Sequence, residues 1–389
     1  MGYLSEYINK KLSPNQLFDE LQRLIQIYKS KTGRGIFLYV AAMFKRIPEV
    51  SLNQEDFYVF RDMLKDYNDE NELDIYIETP GGNGITAEEI AKFLHNKFQK
   101  VNFVISGEAK SAGTILAMSG NEIYMTETGS LGPIDAQVTI GRSIVSAYDY
   151  IEWIKEKMEE AKKTGKLNPV DATMISQITP GEIQQVFHSL EYAKDLVKQW
   201  LPVYKFNNWD ITETRRINVT KDMKEKMASD IAESVADHSH WRTHGRSLKI
   251  DDLTNIGLKV ENLDLTPEIS EIVYRIQFVC KLIFETTTIY KLFISKNDRI
   301  FKQAVNANIN NRPILNLQEK PQVVQIDVKC QKCGREYSFY KKIVDNKSID
   351  ENMKKLNIIE LPSEDIYKCE CGHIMDLRAI KNEIAIKLK

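Results

Sequence analysis

The chain has 389 residues and a formal net charge of −2 at pH 7, with both charge signs distributed along it. This length can bury a large core and predicts two or three domains. The near-neutral balance argues against a general affinity for nucleic acid, so no nucleic-acid partner is expected. No signal-peptide pattern opens the sequence, and no apolar run reaches the roughly 18 residues of a membrane span. These features predict a cytoplasmic protein without a membrane span.

The first part of the chain has the pattern of a leading helix followed by repeated strand-helix units. Ser13 and Pro14 form a cap and a first-turn proline, and apolar residues follow at helical spacing up to Tyr28. The predicted strands are residues 36–42, 73–78, 101–106 and 122–126, and the predicted helices between them are residues 54–66, residues 87–98 and a short helix after Ser111. Successive units of this kind predict an α/β core with largely parallel strands.

The stretch Gly107–Gly120 places Ser111 between the strand that ends at Ser106 and a helix of small residues. Free backbone N–H groups and the positive end of a helix dipole favour negative charge beside the serine oxygen there. A serine that merely caps the helix would occupy the same position. The turn alone therefore leaves a nucleophile and an N-cap as alternatives.

Three motifs together resemble the signal peptide peptidase A and Clp protease group of serine peptidases, within the ClpP/crotonase-like superfamily. They are Ile77–Gly82, Gly107–Gly113 and Gly129–Asp135. The last contains Gly-Pro-Ile-Asp, which is similar to the branch named serine dehydrogenase proteinase. The resemblance extends over about residues 36–262. It implies a ClpP/crotonase-like core with a helical insertion, and a serine peptidase acting on peptides or proteins.

The resemblance also implies roles for particular residues. Ser111 is the expected nucleophile, and the backbone N–H groups of Gly82, with Gly81 beside it, and of Ala112 are the expected oxyanion donors. Glycine suits this role because a backbone amide without a Cβ can approach a substrate closely. A lone Pro-Gly-Gly is more often an ordinary turn, so its position after a strand and before the serine turn carries the prediction.

The sequence leaves the general base open. Residues 131–135, where Clp proteases have a histidine, contain none, whereas Lys166 matches the lysine position of signal peptide peptidase A enzymes. Lysine can act as a base only if burial or a nearby cation lowers its pKa. His244 is the competing base. Weaker alternatives are Lys163, Lys194, Lys198, His238 and His240.

The whole chain is predicted to have four segments: an N-terminal helix (1–35), the peptidase domain (36–265, with a helical insertion at 139–237), a helix and linker (266–322), and a C-terminal domain (323–389) whose two cysteine pairs predict a zinc ribbon. Apolar spacing predicts a helix from Ile269 to Phe293, with Cys280 as a buried thiol, and a linker follows from Ser295 to Gln322. In relatives, helices of the insertion region contact neighbouring subunits, so the resemblance implies a homo-oligomer.

Two cysteine pairs near the C-terminus predict a metal site. Each pair is followed by glycine, as in zinc knuckles, and four thiolates can complete a tetrahedral zinc shell. The pairs are Cys330 with Cys333 and Cys369 with Cys371. His373 is an alternative to Cys371. A closed shell of this kind favours structural zinc over catalytic zinc.

Two other classes of function share parts of this pattern. A crotonase-type acyl-CoA enzyme has the same general fold and a paired-amide oxyanion hole but does not need Ser111. A non-catalytic scaffold or adaptor would keep the core and use the zinc ribbon to bind a partner.

Overall fold

The structure is a computed structural model that describes residues 2–67, 70–135, 137–140, 143–212, 214–304, 323–342, 353, 358–378 and 381. The chain divides into two compact units, Met1–Ile309 and Asn310–Lys389. The helices are α1 (Tyr3–Lys10), α2 (Pro14–Thr32), α3 (Gln54–Leu64), α4 (Gly84–Lys97), α5 (Ala112–Ala117), α6 (Ala147–Thr164), α7 (Pro169–Ile175), α8 (Pro180–Val203), α9 (Lys221–Ala236), α10 (His238–Trp241), α11 (Ile250–Asn255) and α12 (Pro267–Thr286). The strands of the first unit are β1 (Gly35–Ala41), β2 (Glu72–Glu78), β3 (Lys100–Ile105), β4 (Glu108–Ala109), β5 (Glu122–Met125), β6 (Ser130–Leu131), β7 (Gln137–Ile140), β8 (Ser143–Ser146), β9 (Glu261–Asn262), β10 (Ile289–Ile294) and β11 (Arg299–Gln303).

A seven-stranded sheet forms the centre of the first unit, in the order β11-β10-β1-β2-β3-β5-β9. The pairs from β1 through β2, β3 and β5 to β9 are parallel, whereas β10 and β11 join antiparallel at the β1 edge. Helices connect the successive parallel strands, as this topology requires. The predicted α/β core with largely parallel strands is confirmed.

Both faces of this sheet are buried, and β1 shows how the sequence achieves this. Successive side chains of a strand point to opposite faces. Phe37 and Tyr39 belong to one apolar cluster together with residues of α3, α4, α5, α8 and α9. Ile36, Leu38 and Val40 belong to a second cluster with residues of α2 and α12. A continuous apolar strand is therefore what a two-sided core needs.

The predicted leading helix is α2, and its start follows the expected capping chemistry. The Ser13 side chain and Gln16 form a reciprocal capping box, with Pro14 at the first helical position. The apolar stripe predicted for this helix is buried in the second cluster. Gly33, at φ 73°, ends the helix in the left-handed conformation.

The region after residue 286 differs from the predicted helix and linker. The helix α12 ends at Thr286, and β10 and β11 then form an antiparallel pair on the edge of the main sheet. Three consecutive threonines, 286–288, lie where α12 ends and β10 begins. Their β-branched side chains disfavour a helix, which explains why α12 stops there. The rest of the predicted linker, residues 305–322, lies outside the described residues.

In the second unit, β12 (Val323–Lys329), β13 (Glu336–Lys342) and β14 (Ile359–Glu360) form one sheet, and β15 (Ile366–Lys368) pairs with β16 (Ile374–Asp376). Tyr337, Phe339 and Met375 pack with two of the cysteines, Cys330 and Cys369, in a small core. Within the described part of both units, no helix is long and apolar enough to cross a membrane.

Glu78 is the last residue of β2, just before the glycine turn. Its environment predicts that the stability of the fold depends on pH. Burial raises the pKa of Glu78 to about 7, the Tyr76 hydroxyl that donates to it lowers the pKa, and the Glu108 charge raises it. A raised carboxyl pKa stabilises the fold fully below the ordinary value of 4.5, and this contribution is lost as pH rises through about 7. We expect Glu78→Gln to raise the free energy of unfolding at pH 8 by up to about 3 kcal/mol.

Urea unfolding of both proteins at pH 5 and pH 8 measures this effect. The difference between the two proteins should shrink at pH 5, where Glu78 is protonated in the native state. An equal difference at both pH values would contradict the assignment. Glu159→Gln, on the exposed face of α6, serves as the control and should show little difference at either pH.

Candidate active site

Ser111 lies in a strained turn between β4 and α5. Its φ of 51° and ψ of −119° are unusual for a residue with a Cβ, and such strain, of order 1–3 kcal/mol, persists only where surrounding structure enforces it. The neighbouring backbone is held by hydrogen bonds from Lys110 N to Thr79 O (3.0 Å) and from Gly113 N to Lys110 O (2.8 Å). Within the described part of the chain, the Ser111 hydroxyl has no hydrogen-bond partner. Ser111 therefore does not cap α5, and its hydroxyl is available to react.

The glycine turn after β2 packs directly against this serine. A Cβ added to Gly81, whose φ is 92°, would lie 2.6 Å from Ser111 Cβ and 3.1 Å from Ala112 N. A Cβ on Gly82 would lie 2.4 Å from Leu52 O. Only glycine fits at both positions, because real Cβ atoms do not approach other atoms this closely.

The hydrogen bonds around this turn leave two donors unused. Leu52 N donates to Gly81 O (2.7 Å), and Asn83 N donates to Leu52 O (2.9 Å). These two hydrogen bonds hold the backbone on both sides of Gly82 and do not use the Gly82 N–H. The Ala112 N–H lies in the first turn of α5, and the carbonyl four residues before it, Glu108 O, accepts instead from Thr79 N (2.9 Å). Among the described residues, neither N–H donates a hydrogen bond. The two predicted oxyanion donors are thus free, and their residues line the same cleft as Ser111.

Ser111 opens into a cleft of about 1010 Å³. One wall is the start of α4 after the glycine turn, and the other is a face of α8 that includes His188 and Tyr192. The Tyr192 hydroxyl donates to Glu88 (2.5 Å) and ties α8 to α4. Ile115, Ile134 and Asp135 also line this space. The cleft is large enough to hold several residues of a peptide.

Asp135 is fully buried at this cleft and accepts hydrogen bonds from two histidines. His244 Nδ1 lies 2.8 Å from Oδ1, and His238 Nδ1 lies 2.8 Å from Oδ2. His238 also contacts Asp149 through Nε2 (3.1 Å), whereas His244 Nε2 has no partner within the described residues. A carboxylate on Nδ1 orients an imidazole and leaves Nε2 free to take a proton. His244 is therefore an imidazole oriented by a carboxylate of the cleft, and it is not itself among the described residues that line the cleft.

The charge state of Asp135 suits this role. Burial raises its pKa, but the hydrogen bonds and charges of His244 and His238 outweigh burial, so the pKa of the carboxyl lies below its ordinary value. Asp135 consequently remains a carboxylate at neutral pH, and this favours positive charge on the imidazole during proton transfer. Asp135 ends the Gly-Pro-Ile-Asp motif, and the motif alone predicts no chemical role for its carboxylate.

The structure places the predicted lysine bases away from this cleft lining. Lys166 lies in the exposed turn between α6 and α7, and Lys163 is exposed near the end of α6. Lys194 and Lys198 form ion pairs with Glu233 of α9. The alternative His240 is exposed. The structure brings Ser111, Gly81, Gly82 and Ala112 together, and the base stays a prediction.

Lys110 is a buried cation next to Ser111 that was not predicted as a site residue. Its Nζ lies 2.9 Å from Ser247 Oγ, 3.1 Å from Arg246 O and 3.2 Å from Leu131 O. Burial lowers the pKa of Lys110 below its ordinary value, and the Glu108 carboxylate, 3.8 Å away, opposes this effect. The sequence around Lys110 carries no signal of these contacts, because they join residues 20 to 137 positions apart.

The four predicted cysteines converge in the second unit. Their Sγ atoms all lie within 4.8 Å of one another, with 3.8 Å between Cys330 and Cys371 and 3.6 Å between Cys333 and Cys369. Tetrahedral zinc with Zn–S bonds of about 2.3 Å separates its sulfurs by about 3.8 Å. The Tyr337 hydroxyl, 3.2 Å from Cys369 Sγ, lowers the pKa of this thiol to about 6. The geometry and the chemistry of these donors fit a metal ion.

Comparison with known proteins bears on the first unit. Residues 54–199 match the family model of ClpP-like SDH-type serine proteinases. This span contains Gly81, Gly82, Ser111 and Ala112, and it does not include the two cysteine pairs. The predicted resemblance to Clp-like serine peptidases is confirmed over this span. His244 also lies beyond its end.

Two uncharacterized proteins of Methanocaldococcus jannaschii are similar over short stretches. MJ1495 is 35% identical over 78 residues, which are 20% of this chain and 27% of that protein. MJ0137 is 36% identical over 66 residues, which are 17% of this chain and 23% of that protein. The chain thus aligns with about a quarter of the length of these curated relatives.

Solved structures of a peptidase show a distant likeness. A serine-to-alanine mutant of the 1510-N membrane-bound stomatin-specific protease has 14% identity and a TM-score of 0.33, covering 58% of this chain and 79% of that one. A lysine-to-alanine mutant of the same protease, in complex with a substrate peptide, has 15% identity and a TM-score of 0.32, covering 56% and 71%.

Proposed function

We propose that this protein is a serine peptidase that hydrolyses peptide bonds in peptides or proteins. The observation that carries the proposal is the pair of free N–H groups, on Gly82 and Ala112, beside the unpaired hydroxyl of Ser111. Such donors stabilise the oxyanion that forms when a serine attacks a carbonyl carbon. The match of this span to a serine-proteinase family model supports the same chemistry.

In the proposed reaction, the Ser111 oxygen attacks the scissile carbonyl and its proton passes to a base. The carbonyl oxygen becomes an oxyanion held by the two backbone amides, and collapse of this intermediate expels the amine, which takes a proton from the base. Water then hydrolyses the acyl-enzyme by the same route. The free hydroxyl in a strained turn supports this reading over a crotonase-type enzyme, which does not need the serine.

Of the two bases predicted, we propose His244. Asp135 lines the cleft that contains Ser111 and holds His244 through Nδ1, whereas Lys166 is exposed in a turn between helices. Within the described residues, no hydrogen bond or ion pair holds the Lys166 side chain, whereas Asp135 orients the imidazole of His244.

Labelling with a fluorophosphonate tests both the activity and the base. We expect the wild-type chain to be labelled on Ser111, and Lys166→Ala to react at the same rate. We expect His244→Ala to react about 10²–10⁴-fold more slowly, because it lacks general-base assistance. Absence of labelling in wild type would contradict a serine peptidase, and a selective loss in Lys166→Ala would instead identify the lysine as the base.

We also propose that the four cysteines hold one structural zinc ion. We expect metal analysis to find one zinc per chain and Cys333→Ser to lose it, because removing a thiolate opens the tetrahedral shell. Cys280→Ser, at a buried thiol of α12, should keep the zinc. Retention of zinc by Cys333→Ser would contradict this site. The predicted cytoplasmic location and homo-oligomeric assembly stay predictions.

A further inference from the structure

Three segments of the chain, at Lys110, at residues 130–131 and at residues 246–247, meet at the ammonium group of Lys110. This side chain is only 6% exposed, and its Nζ contacts Ser130 Oγ (3.4 Å) and Leu131 O from one segment. Arg246 O and Ser247 Oγ come from another. An ammonium group has three N–H donors and no acceptor, and here every contact other than the distant Glu108 is a neutral oxygen. These oxygens satisfy the ammonium group, and through them Lys110 joins residues 130–131 to residues 246–247.

Each segment leads to a residue of the proposed active site. Lys110 is followed directly by Ser111, Leu131 precedes Asp135 by four residues, and Arg246 follows His244 by two residues. Leu131 and Leu248 also exchange backbone hydrogen bonds of 3.1 and 2.9 Å, which align the same two segments. The position of the ammonium therefore determines where the nucleophile lies relative to the Asp135–His244 pair.

The packing around Lys110 leaves its side chain little freedom. A Cβ on Gly132 would lie 2.7 Å from Lys110 Cδ, so glycine is needed for the aliphatic stem to pass. Gly132 N in turn donates to Thr114 Oγ1 (2.9 Å), and Thr114 Oγ1 donates to Ala109 O (2.8 Å). A side chain packed in this way transmits its position to the segments around it.

We propose that Lys110 is a positioning residue for the hydrolysis. Its ammonium fixes the Ser111 turn against the segments that carry Asp135 and His244. This inference rests on the proposed function. Lys110 does not exchange a proton with the substrate; its effect reaches the reaction through the alignment of nucleophile and base. Misplacing reacting groups by about 1 Å costs about 10²-fold in rate.

Saturable labelling by a fluorophosphonate tests this role, because it separates the affinity of the probe from the rate of attack. We expect Lys110→Met, which keeps the stem and removes the ammonium, to lower the maximal labelling rate about 100-fold. The probe concentration at half-maximal rate should stay within about twofold of wild type, because the cleft is unchanged. A loss caused only by partial unfolding would reduce the labelled fraction without slowing the folded molecules.

Lys45→Met provides a control at an ammonium that contacts carbonyls in another part of the fold. The Lys45 Nζ lies 2.8 Å from Thr287 O and 2.5 Å from Ile289 O, and these residues lie outside the three segments that meet at Lys110. We expect this variant to be labelled at the wild-type rate. Equal losses in the two lysine variants would overturn the proposal, as would a maximal rate for Lys110→Met within about threefold of wild type.

Ser247→Ala keeps the proposal testable if Lys110→Met does not fold. It removes the shortest contact of the ammonium and leaves the cation buried. We expect a several-fold lower maximal rate in this variant and no further loss when it is combined with Lys110→Met, because both act through one junction. An unchanged rate in Ser247→Ala, or fully additive losses, would contradict the proposal. If wild type itself is not labelled, the proposed function fails, and this result differs from any defect confined to the Lys110 variants.

Discussion

Replacing Ser111 with alanine is expected to abolish peptide hydrolysis, with kcat falling by about 10⁴–10⁶. The hydroxyl is the proposed attacking group, and within the described residues it makes no hydrogen bond whose loss would disturb the fold. The variant should therefore unfold at nearly the same temperature as wild type. Hydrolysis of a mixture of quenched fluorescent peptides, with thermal unfolding measured in parallel, checks both expectations.

Ser189→Ala is the appropriate control for this experiment. Ser189 lies on α8, lines the same cleft and donates only to Gln185 O within its own helix (2.9 Å). We expect this variant to keep activity close to that of wild type. If Ser111→Ala hydrolysed the peptides as fast as wild type, Ser111 would not be the nucleophile. This result would support the scaffold alternative for this cleft.

The second large effect is expected at Gly81, although this residue supplies no functional side chain. In Gly81→Ala, the new Cβ would lie 2.5 Å from Lys110 O and 2.6 Å from Ser111 Cβ. Both atoms belong to the nucleophile turn, so the clash must displace Ser111, Gly82 or both. We expect kcat/KM to fall about 10³-fold, because the serine and the oxyanion donors lose their alignment.

Gly165→Ala separates this clash from the general cost of a positive φ. Gly165 has φ 73° at the end of α6, and nothing lies within 4 Å of an added Cβ. This variant pays a similar backbone penalty of about 1 kcal/mol in an exposed turn and should keep wild-type kinetics. Equal kinetic losses in the two glycine variants would contradict the close packing of Gly81 against Ser111. Fluorophosphonate labelling rates and hydrolysis should report the same ranking.

Much of the fold could be predicted from local pattern. The parallel strands have apolar side chains on both faces, and the leading helix has a capping box, so both signals lie within short stretches of sequence. The helix predicted to continue to Phe293 was wrong beyond Thr286, because β10 is as apolar as the helix before it. The buried Lys291 within β10 is satisfied by Asp56, a partner that no local pattern reveals.

The site was predictable where motifs of consecutive residues determine it. Gly81, Gly82, Ser111 and Ala112 come from two short turns, and the structure brings those turns into contact. The cysteine pairs were likewise visible from spacing, and their sulfur atoms converge. In both cases a backbone requirement for glycine, or a repeated thiol pair, leaves a signature in the sequence.

The proposed proton-transfer partner was less accessible to prediction because the case for it depends on contacts across the fold. The hydrogen bond from His244 to Asp135 joins residues 109 positions apart, and the contacts of Lys110 join residues up to 137 positions apart. Lys166 fits the expected spacing, yet it lies in an exposed turn. Spacing along the chain predicts which residues are candidates, whereas burial and hydrogen bonding distinguish among them.

The most direct test of the account is a crystal structure of the chain after reaction with a fluorophosphonate. We predict a covalent bond from Ser111 Oγ to phosphorus, with the phosphoryl oxygen accepting hydrogen bonds from the N–H groups of Gly82 and Ala112 at about 2.7–3.1 Å. An adduct on another residue, or a phosphoryl oxygen directed away from both amides, would contradict it.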